Sequence, residues 1–210
     1  MGYVVNRHPV TVGEYIAWLD TLDDPTPYQP SIDGRPLTRT EQGGLQGAPR
    51  PLRATDPICL VSWDDAQAYA AAMGARLLHD HEWEKAARGV DGRAFPWGDF
   101  FDSTWCNASN SRASQPWLVP VSANPEDISP YGVRGLAGNL RDWCSNDYER
   151  SGPASIEHAP ATGPFRMARG GSWSSSGPFC RAAARVVGRP DARTLNYGFR
   201  LARDWPTRAG

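Results

Sequence analysis

Lysine is almost absent from this chain. Of its 22 basic residues all but Lys85 are arginine, a bias that a GC-rich genome produces as readily as selection for planar, multidentate cations. Charge of either sign is not in excess. With 23 acidic residues the formal net charge is −1 and the isoelectric point about 6.4, so no field gathers nucleic acid or anionic lipid, and nucleic acid is excluded as a partner. Long apolar runs are missing as well. No segment approaches the roughly 20 residues of a membrane span, and the opening Met1-Gly2-Tyr3-Val4-Val5-Asn6-Arg7 has no stretch of signal-peptide length. A membrane partner is therefore excluded and a cytoplasmic protein expected. The four cysteines, Cys59, Cys106, Cys144 and Cys180, lie far apart without C-x-x-C or C-x-x-H spacing. That excludes a zinc ribbon or a disulfide framework and predicts four buried free thiols. Gly43-Gly44 and Gly170-Gly171 lack the strand-to-helix context and the lysine of a phosphate-binding loop.

What is present fits one soluble domain, residues 1–210, with 40% hydrophobic and 21% charged residues. Thr11-Val12-Gly13-Glu14 is a capping box, and Tyr15, Trp18, Leu19 and Leu22 follow at helical spacing, predicting a helix over 12–22. Residues 23–57 are rich in Pro, Gly and Arg without periodicity, and read as an irregular insertion with at most short strands. Ser62-Trp63-Asp64-Asp65 opens a second helix that Gly74 terminates. A third spans 80–88, acidic at its start and basic at its end as the helix dipole favours, with Gly89 stopping it. Beyond Gly89 the pattern turns to Trp, Gly, Pro and Asn-rich loops with short strands expected at 118–121, 170–173, 180–187 and 198–202. There is no βαβ alternation, so the class is α+β: two to three helices around a small, mainly antiparallel sheet with much irregular loop. The nine tryptophans supply packing volume where regular structure is sparse.

Several segments, in order, carry a resemblance. Pro9-Val10-Thr11-Val12-Gly13-Glu14-Tyr15, Val61-Ser62-Trp63-Asp64-Asp65-Ala66, Glu82-Trp83-Glu84-Lys85-Ala86-Ala87-Arg88-Gly89, Phe95-Pro96-Trp97-Gly98-Asp99, Tyr131-Gly132-Val133-Arg134-Gly135-Leu136-Ala137-Gly138-Asn139, Arg169-Gly170-Gly171-Ser172-Trp173 and Gly198-Phe199-Arg200 resemble the formylglycine-generating-enzyme (sulfatase-modifying factor) family. The resemblance covers almost the whole chain and implies a C-type-lectin-like fold. It does not fix function, because the family includes oxidases, parts of sulfoxide synthases, modules fused to protein kinases and the variable proteins of diversity-generating retroelements.

In the oxidases, two cysteines five positions apart hold copper(I), a soft ion that needs soft thiolates. Counted from Gly170-Gly171-Ser172-Trp173, the second falls on Cys180 and the first on Ser175, whose hydroxyl cannot supply that ligand at neutral pH. A copper-dependent oxidase is therefore disfavoured, and no catalytic residue is assigned. His79 and His81 stand two apart at a helix start, where they are expected to point in different directions, and no metal ligand is assigned to them. The family's calcium sites would use Asp142 with the carbonyls of Gly138 and Leu140, and separately Asn107. Gly135 removes one oxygen from the first, and the second lacks a recognisable acidic partner. The cofactor expectation is none, with calcium kept open.

Within the C-terminal segment, Gly170 to Trp173, Arg181 to Ala183 with Arg185, Pro190-Asp191 with Arg193, and Gly198 to Arg200 resemble the fixed elements of retroelement-diversified proteins. Between them lie Ser174, Ser175, Ser176, Gly177, Pro178, Phe179, Cys180, Val186, Val187, Gly188, Arg189, Thr194, Leu195 and Asn196. None is a carboxylate or histidine, and all are types that adenine replacement in an asparagine codon can yield, which Lys, Glu, Gln, Met and Trp are not. These residues form the candidate ligand-binding face. Phe179, Leu195 and Tyr197 would anchor it and the serines and Arg189 would adapt hydrogen bonds around a protein or other macromolecular ligand. Trp173 and Phe199 read as core. An invariant sensor or docking domain of a kinase-associated protein fits the same residues, and nothing in the sequence fixes an oligomeric state.

Overall fold

The computed structural model describes residues 2–111, 116–148 and 164–205. His158 lies outside them. The elements, in order, are β1 (Tyr3–Val5), α1 (Val12–Leu19), the two-residue strands β2 (Ser31–Ile32), β3 (Arg35–Pro36), β4 (Thr38–Arg39) and β5 (Leu45–Gln46), then α2 (Trp63–Ala72), β6 (Arg76–Leu77) and α3 (Asp80–Arg88), and finally β7 (Arg141–Asp147), β8 (Arg166–Arg169), β9 (Arg185–Gly188), β10 (Tyr197–Gly198) and β11 (Leu201–Asp204). This is an α+β, C-type-lectin-like architecture. Among the described residues no helix is long and apolar enough to cross a membrane.

Two sheets carry the frame. β11 pairs antiparallel with both β1 and β6, so the two ends of the described chain are joined. The second sheet runs β10-β7-β8-β9, antiparallel except for the parallel β10–β7 pair. Both predicted capping boxes form, Thr11 with Glu14 and Ser62 with Asp65, and α3 begins and ends where its charge pattern placed it. α1 buries Val12, Tyr15, Ile16, Trp18 and Leu19. Tyr15 stacks on Tyr69 of α2 at 5.5 Å, and Tyr69 meets Phe199 edge-on at 5.4 Å. Such pairs contribute about 0.5–1.5 kcal/mol each beyond the area they bury.

Four expectations are corrected. α1 stops at Leu19 rather than continuing to Leu22, because the chain tightens into i→i+3 bonds from Thr21 to Trp18 and from Leu22 to Leu19. No strand forms at 118–121, where the Asn139 side chain takes both backbone groups of Val119, at 3.1 and 2.9 Å. At 170–173 the strand has already ended at Arg169, since Gly170 adopts φ +86. A Cβ there would also lie 2.8 Å from the Leu136 carbonyl and 3.0 Å from Trp83, so two constraints select glycine. Residues 180–187 begin at the end of a 3-10 turn (Gly177–Cys180) and become a strand only at Arg185.

Candidate functional site

The loop after Gly170-Gly171 folds over one end of the β10-β7-β8-β9 sheet and encloses a cleft of about 500 Å³. Its apolar wall is Phe179, Val186, Val187 and Tyr197, and its polar side is Ser109, Ser174, Ser175, Ser176, Arg141 and Arg185. Tyr197 is fixed by stacking on Trp143 at 4.5 Å and by donating its hydroxyl to the Val187 carbonyl at 3.1 Å. Burial pushes its phenol up, and the charge of Arg141 pulls it part of the way back.

A serine cluster forms the floor. Ser175 Oγ accepts from the Ser172 amide at 2.9 Å and from Arg141 Nη2 at 2.8 Å, while Arg141 Nη1 donates to Ser172 Oγ at 3.2 Å. Ser172 Oγ stands 3.1 Å from Ser175 Oγ and 3.2 Å from Ser174 Oγ, and Ser174 donates to Asn196 Oδ1 at 3.2 Å. Among the described residues no carboxylate or imidazole hydrogen-bonds these hydroxyls, so nothing is placed to act as base for a serine nucleophile.

The fourteen candidate residues separate into three groups. Ser174, Ser176, Phe179, Val186 and Val187 line the cleft with exposed or half-buried side chains, and Ser175, 4% exposed, makes its floor. Gly177, Pro178, Arg189, Thr194, Leu195 and Asn196 surround it without lining it. Gly177 packs against Phe101, Arg189 is exposed and pairs with Asp191 at 3.1 Å, and backbone groups of Thr194, Leu195 and Asn196 hold Leu60, Trp173 and Arg141 respectively. Cys180 and Gly188 are corrected out of the face. Cys180 is fully buried with Phe95, Cys106, Ala108 and Ala137, where its thiol donates to the Ser176 carbonyl at 3.5 Å and its nearness, with burial, pushes the Cys106 thiol up. Gly188 is buried because its α-carbon faces the Trp143 ring.

Arg141 and Arg185 are cleft residues that lay outside the candidate set. Arg185 belongs to an element read as fixed, and Arg141 to the stretch 135–142 that the resemblance implied only for calcium. The histidine expectation is also corrected. The His79 and His81 rings stack at 5.2 Å, and both face Asp80 Oδ1, with His79 Nδ1 at 3.0 Å and His81 Nε2 at 4.0 Å. A separate cavity of about 650 Å³, lined by β1, Lys85, Ala86 and residues 131–133, contains none of the candidate residues.

The two side chains that the resemblance assigned to calcium share one property. Asp142 Oδ2 accepts from Trp83 Nε1 at 2.7 Å and Arg200 Nε at 2.6 Å, but Oδ1 is buried without a hydrogen-bond partner, and so is Asn107 Oδ1. Two buried oxygens lacking donors fit a hard cation.

The model of the sulfatase-modifying factor enzyme 1-like domain matches residues 1–205. The chain belongs to that family. It is 37% identical over 169 residues to the formylglycine-generating enzyme of Streptomyces coelicolor, covering 72% of this chain and 54% of that protein. It is 30% identical over 209 residues to the serine/threonine-protein kinase pkn1 of Chlamydia caviae, covering 96% and 33% respectively. With the inactive C-alpha-formylglycine-generating enzyme 2 of Mus musculus it shares 34% over 160 residues, 70% of this chain and 48% of that one. The chain thus spans about half the length of the Streptomyces enzyme and a third of the kinase. Among solved structures, PvdO from Pseudomonas aeruginosa superposes with a TM-score of 0.74 at 23% identity, covering 97% of this chain and 80% of that one. Treponema denticola variable protein 1 superposes with a TM-score of 0.61 at 19% identity, covering 95% and 84%. These two likenesses establish the fold.

Proposed function

We propose that this family member is a non-catalytic ligand-binding protein, and that the cleft framed by the C-terminal segment is its binding site. The observation that carries the reading is the pairing at positions 175 and 180. Where the oxidases resembled by this chain present two thiols, a serine hydroxyl stands hydrogen-bonded to Arg141 and the remaining thiol is buried against Cys106. Between positions 175 and 180 copper(I) would find one thiol rather than two. The mouse relative described as inactive supports a family in which the scaffold persists without the oxidation.

The finer part of the proposal is that the face is hypervariable and captures a protein or other macromolecule. The cleft-lining serines, Val186, Val187 and Phe179 are all adenine-replacement types, and the fold is shared with the Treponema variable protein. A second reading, an invariant docking module of a kinase-associated protein, is favoured by the match of 96% of the chain to the Chlamydia kinase. Sequencing the gene and its flanks across a population of the source organism separates the two. Substitutions confined to adenine-derived changes in codons 174–196, beside a template copy, support the variable face; an invariant gene supports the docking module. Copper-dependent oxygen consumption with a cysteine peptide would overturn both.

Calcium enters the same proposal as a structural ligand at either of two separate places, one offering Asp142 Oδ1 and the other Asn107 Oδ1. Its expected signature is a fall in Tm on adding EDTA that calcium reverses and magnesium does not. An unchanged Tm would remove the ion from the proposal.

A further inference from the structure

Three arginines are closed into this part of the molecule, and two have carboxylates. Arg200, fully buried, holds Asp142 at 2.6 Å, and Arg169, fully buried, is paired with Glu84. Arg141 has neither arrangement. Its fork meets Ser172 Oγ and Ser175 Oγ, its guanidinium carbon lies 5.9 Å from the centre of the Tyr197 ring, its Nε is buried without a partner, and among the described residues no carboxylate lies within ion-pairing distance. Burial works against its charge, and the groups that act on it are the Tyr197 phenol and the Cys180 thiol rather than a carboxylate. A guanidinium cannot shed the cost of burial by losing its proton, as a lysine would. Two neutral hydroxyls do not offset the desolvation of a cation. A charge held this way and turned toward a cleft is the group that an incoming anion would pair with.

We propose that the cleft recognises its ligand through an oxyanion, a carboxylate or the phosphate or sulfate of an ester, taken in two-pronged fashion by Arg141. This rests on the cleft being the binding site and adds the chemistry it selects. The planar fork of Arg141 matches two oxygens of such a group, and Arg185, lining the same cleft, adds a second guanidinium although Asp80 already holds it at 3.2 Å. The remaining wall, Phe179, Val186, Val187 and Tyr197, is apolar. A volume of about 500 Å³ exceeds what a bare inorganic ion fills and lies within the range of small-ligand sites. The occupant is therefore an organic anion, whether an acidic or modified side chain of a bound macromolecule or a free small molecule, with its apolar part against Phe179 and Val187.

Calorimetric titration of the full chain with benzoate, phenyl phosphate and benzyl alcohol tests this, alongside the Arg141→Met, Arg141→Lys and Phe179→Ala variants, with Tm measured for each. Benzoate or phenyl phosphate binds and benzyl alcohol does not; the tighter of the two anions identifies the oxyanion. Arg141→Met weakens that binding roughly ten- to hundredfold, the worth of a charge-assisted pair, while its Tm stays level or rises. Arg141→Lys, which keeps the charge without the fork, falls between. Benzyl alcohol binding as tightly as benzoate, no binding by any probe, or a Tm loss in both Arg141 variants as large as that of a broken ion pair would each overturn the inference. If Phe179→Ala weakens binding and Arg141→Met does not, the cleft remains the site and the anion is wrong. If neither variant changes binding of a probe that does bind, the cleft itself is wrong.

Discussion

The polar core and the cleft are built with the same side chain and opposite accounting. In the core, Arg200 lies between Asp142 and the carbonyls of Arg134 and Gly135, both at 2.9 Å, with Trp83 donating to the same carboxylate oxygen. In the cleft, Arg141 finds two hydroxyls and the face of Tyr197, and among the described residues no carboxylate. A buried cation with its counter-charge holds the scaffold in one arrangement; Arg141, partly buried, has none among the described residues, and the proposed ligand supplies it. Neighbouring positions 141 and 142 on β7 therefore stand in different surroundings, Asp142 in the core and Arg141 on the cleft.

The sharpest way to break this comparison is Asp142→Asn. It leaves Arg200 buried without a counter-charge, and loss of one partner of a buried pair costs about 3–5 kcal/mol. Denaturant melts in EDTA, so that any ion lost with the side chain is not counted, should show a loss of that size. Arg141→Met in the same melts should show none. Equal losses in the two variants would mean that Arg141 is as structural as Arg200.

Gly188→Ala sharpens the boundary of the face. Position 188 stands among the candidate variable residues, yet a Cβ there would overlap the Trp143 ring and lie 2.8 Å from its Cζ3. Trp143 is itself buried and stacked on Tyr197, so it cannot yield without disturbing the cleft wall. The expected cost is about 1–3 kcal/mol, the range for an overfilled core, read as a lower denaturation midpoint. A Val186→Ala variant, on the cleft wall, should lose less. If Gly188→Ala is neutral, position 188 belongs with the variable face after all.

What the sequence disclosed follows the same division. The capping boxes at Thr11 and Ser62 and the polarity of α3 were legible because each rests on residues within a few positions of one another, and the buried thiols because the cysteines share no ligand or disulfide spacing. The cleft was legible in outline, since Ser174, Ser176, Phe179, Val186 and Val187 meet there. Its most telling residue was not. The solitude of Arg141 depends on Ser172 and Ser175, more than 30 positions away, and on what fails to approach it, which no spacing records. Cys180 and Gly188 failed for a related reason: Cys106 and Trp143, which bury them, are distant in sequence. The absent strand at 118–121 also turns on a distant side chain, Asn139.

The smallest effect comes from a guanidinium at the surface, and it calibrates the other two. Arg76 reaches Glu82 at 2.6 Å and Asp204 at 2.6 Å, joining β6, α3 and β11, with its side chain a third exposed. Partial burial pushes Glu82 up, but the hydrogen bonds from Arg76 and the His79 amide outweigh it, and Arg76 holds Asp204 down as well, so both carboxyls titrate below their ordinary range. A carboxyl whose folded value is depressed stabilises the fold above its unfolded value and loses that contribution as pH falls through the folded one. Arg76→Ala should therefore lower Tm slightly near neutrality, with the gap from the parent closing as pH falls below about 4, where carboxylates take up protons. Salt should close it as well, because the group is solvated and screened. The Asp142→Asn gap should survive the same salt, since its charges lie where ions do not reach. A surface gap indifferent to salt would show that Arg76 acts through packing of its stem, and would remove it as the exposed reference for the two buried arginines.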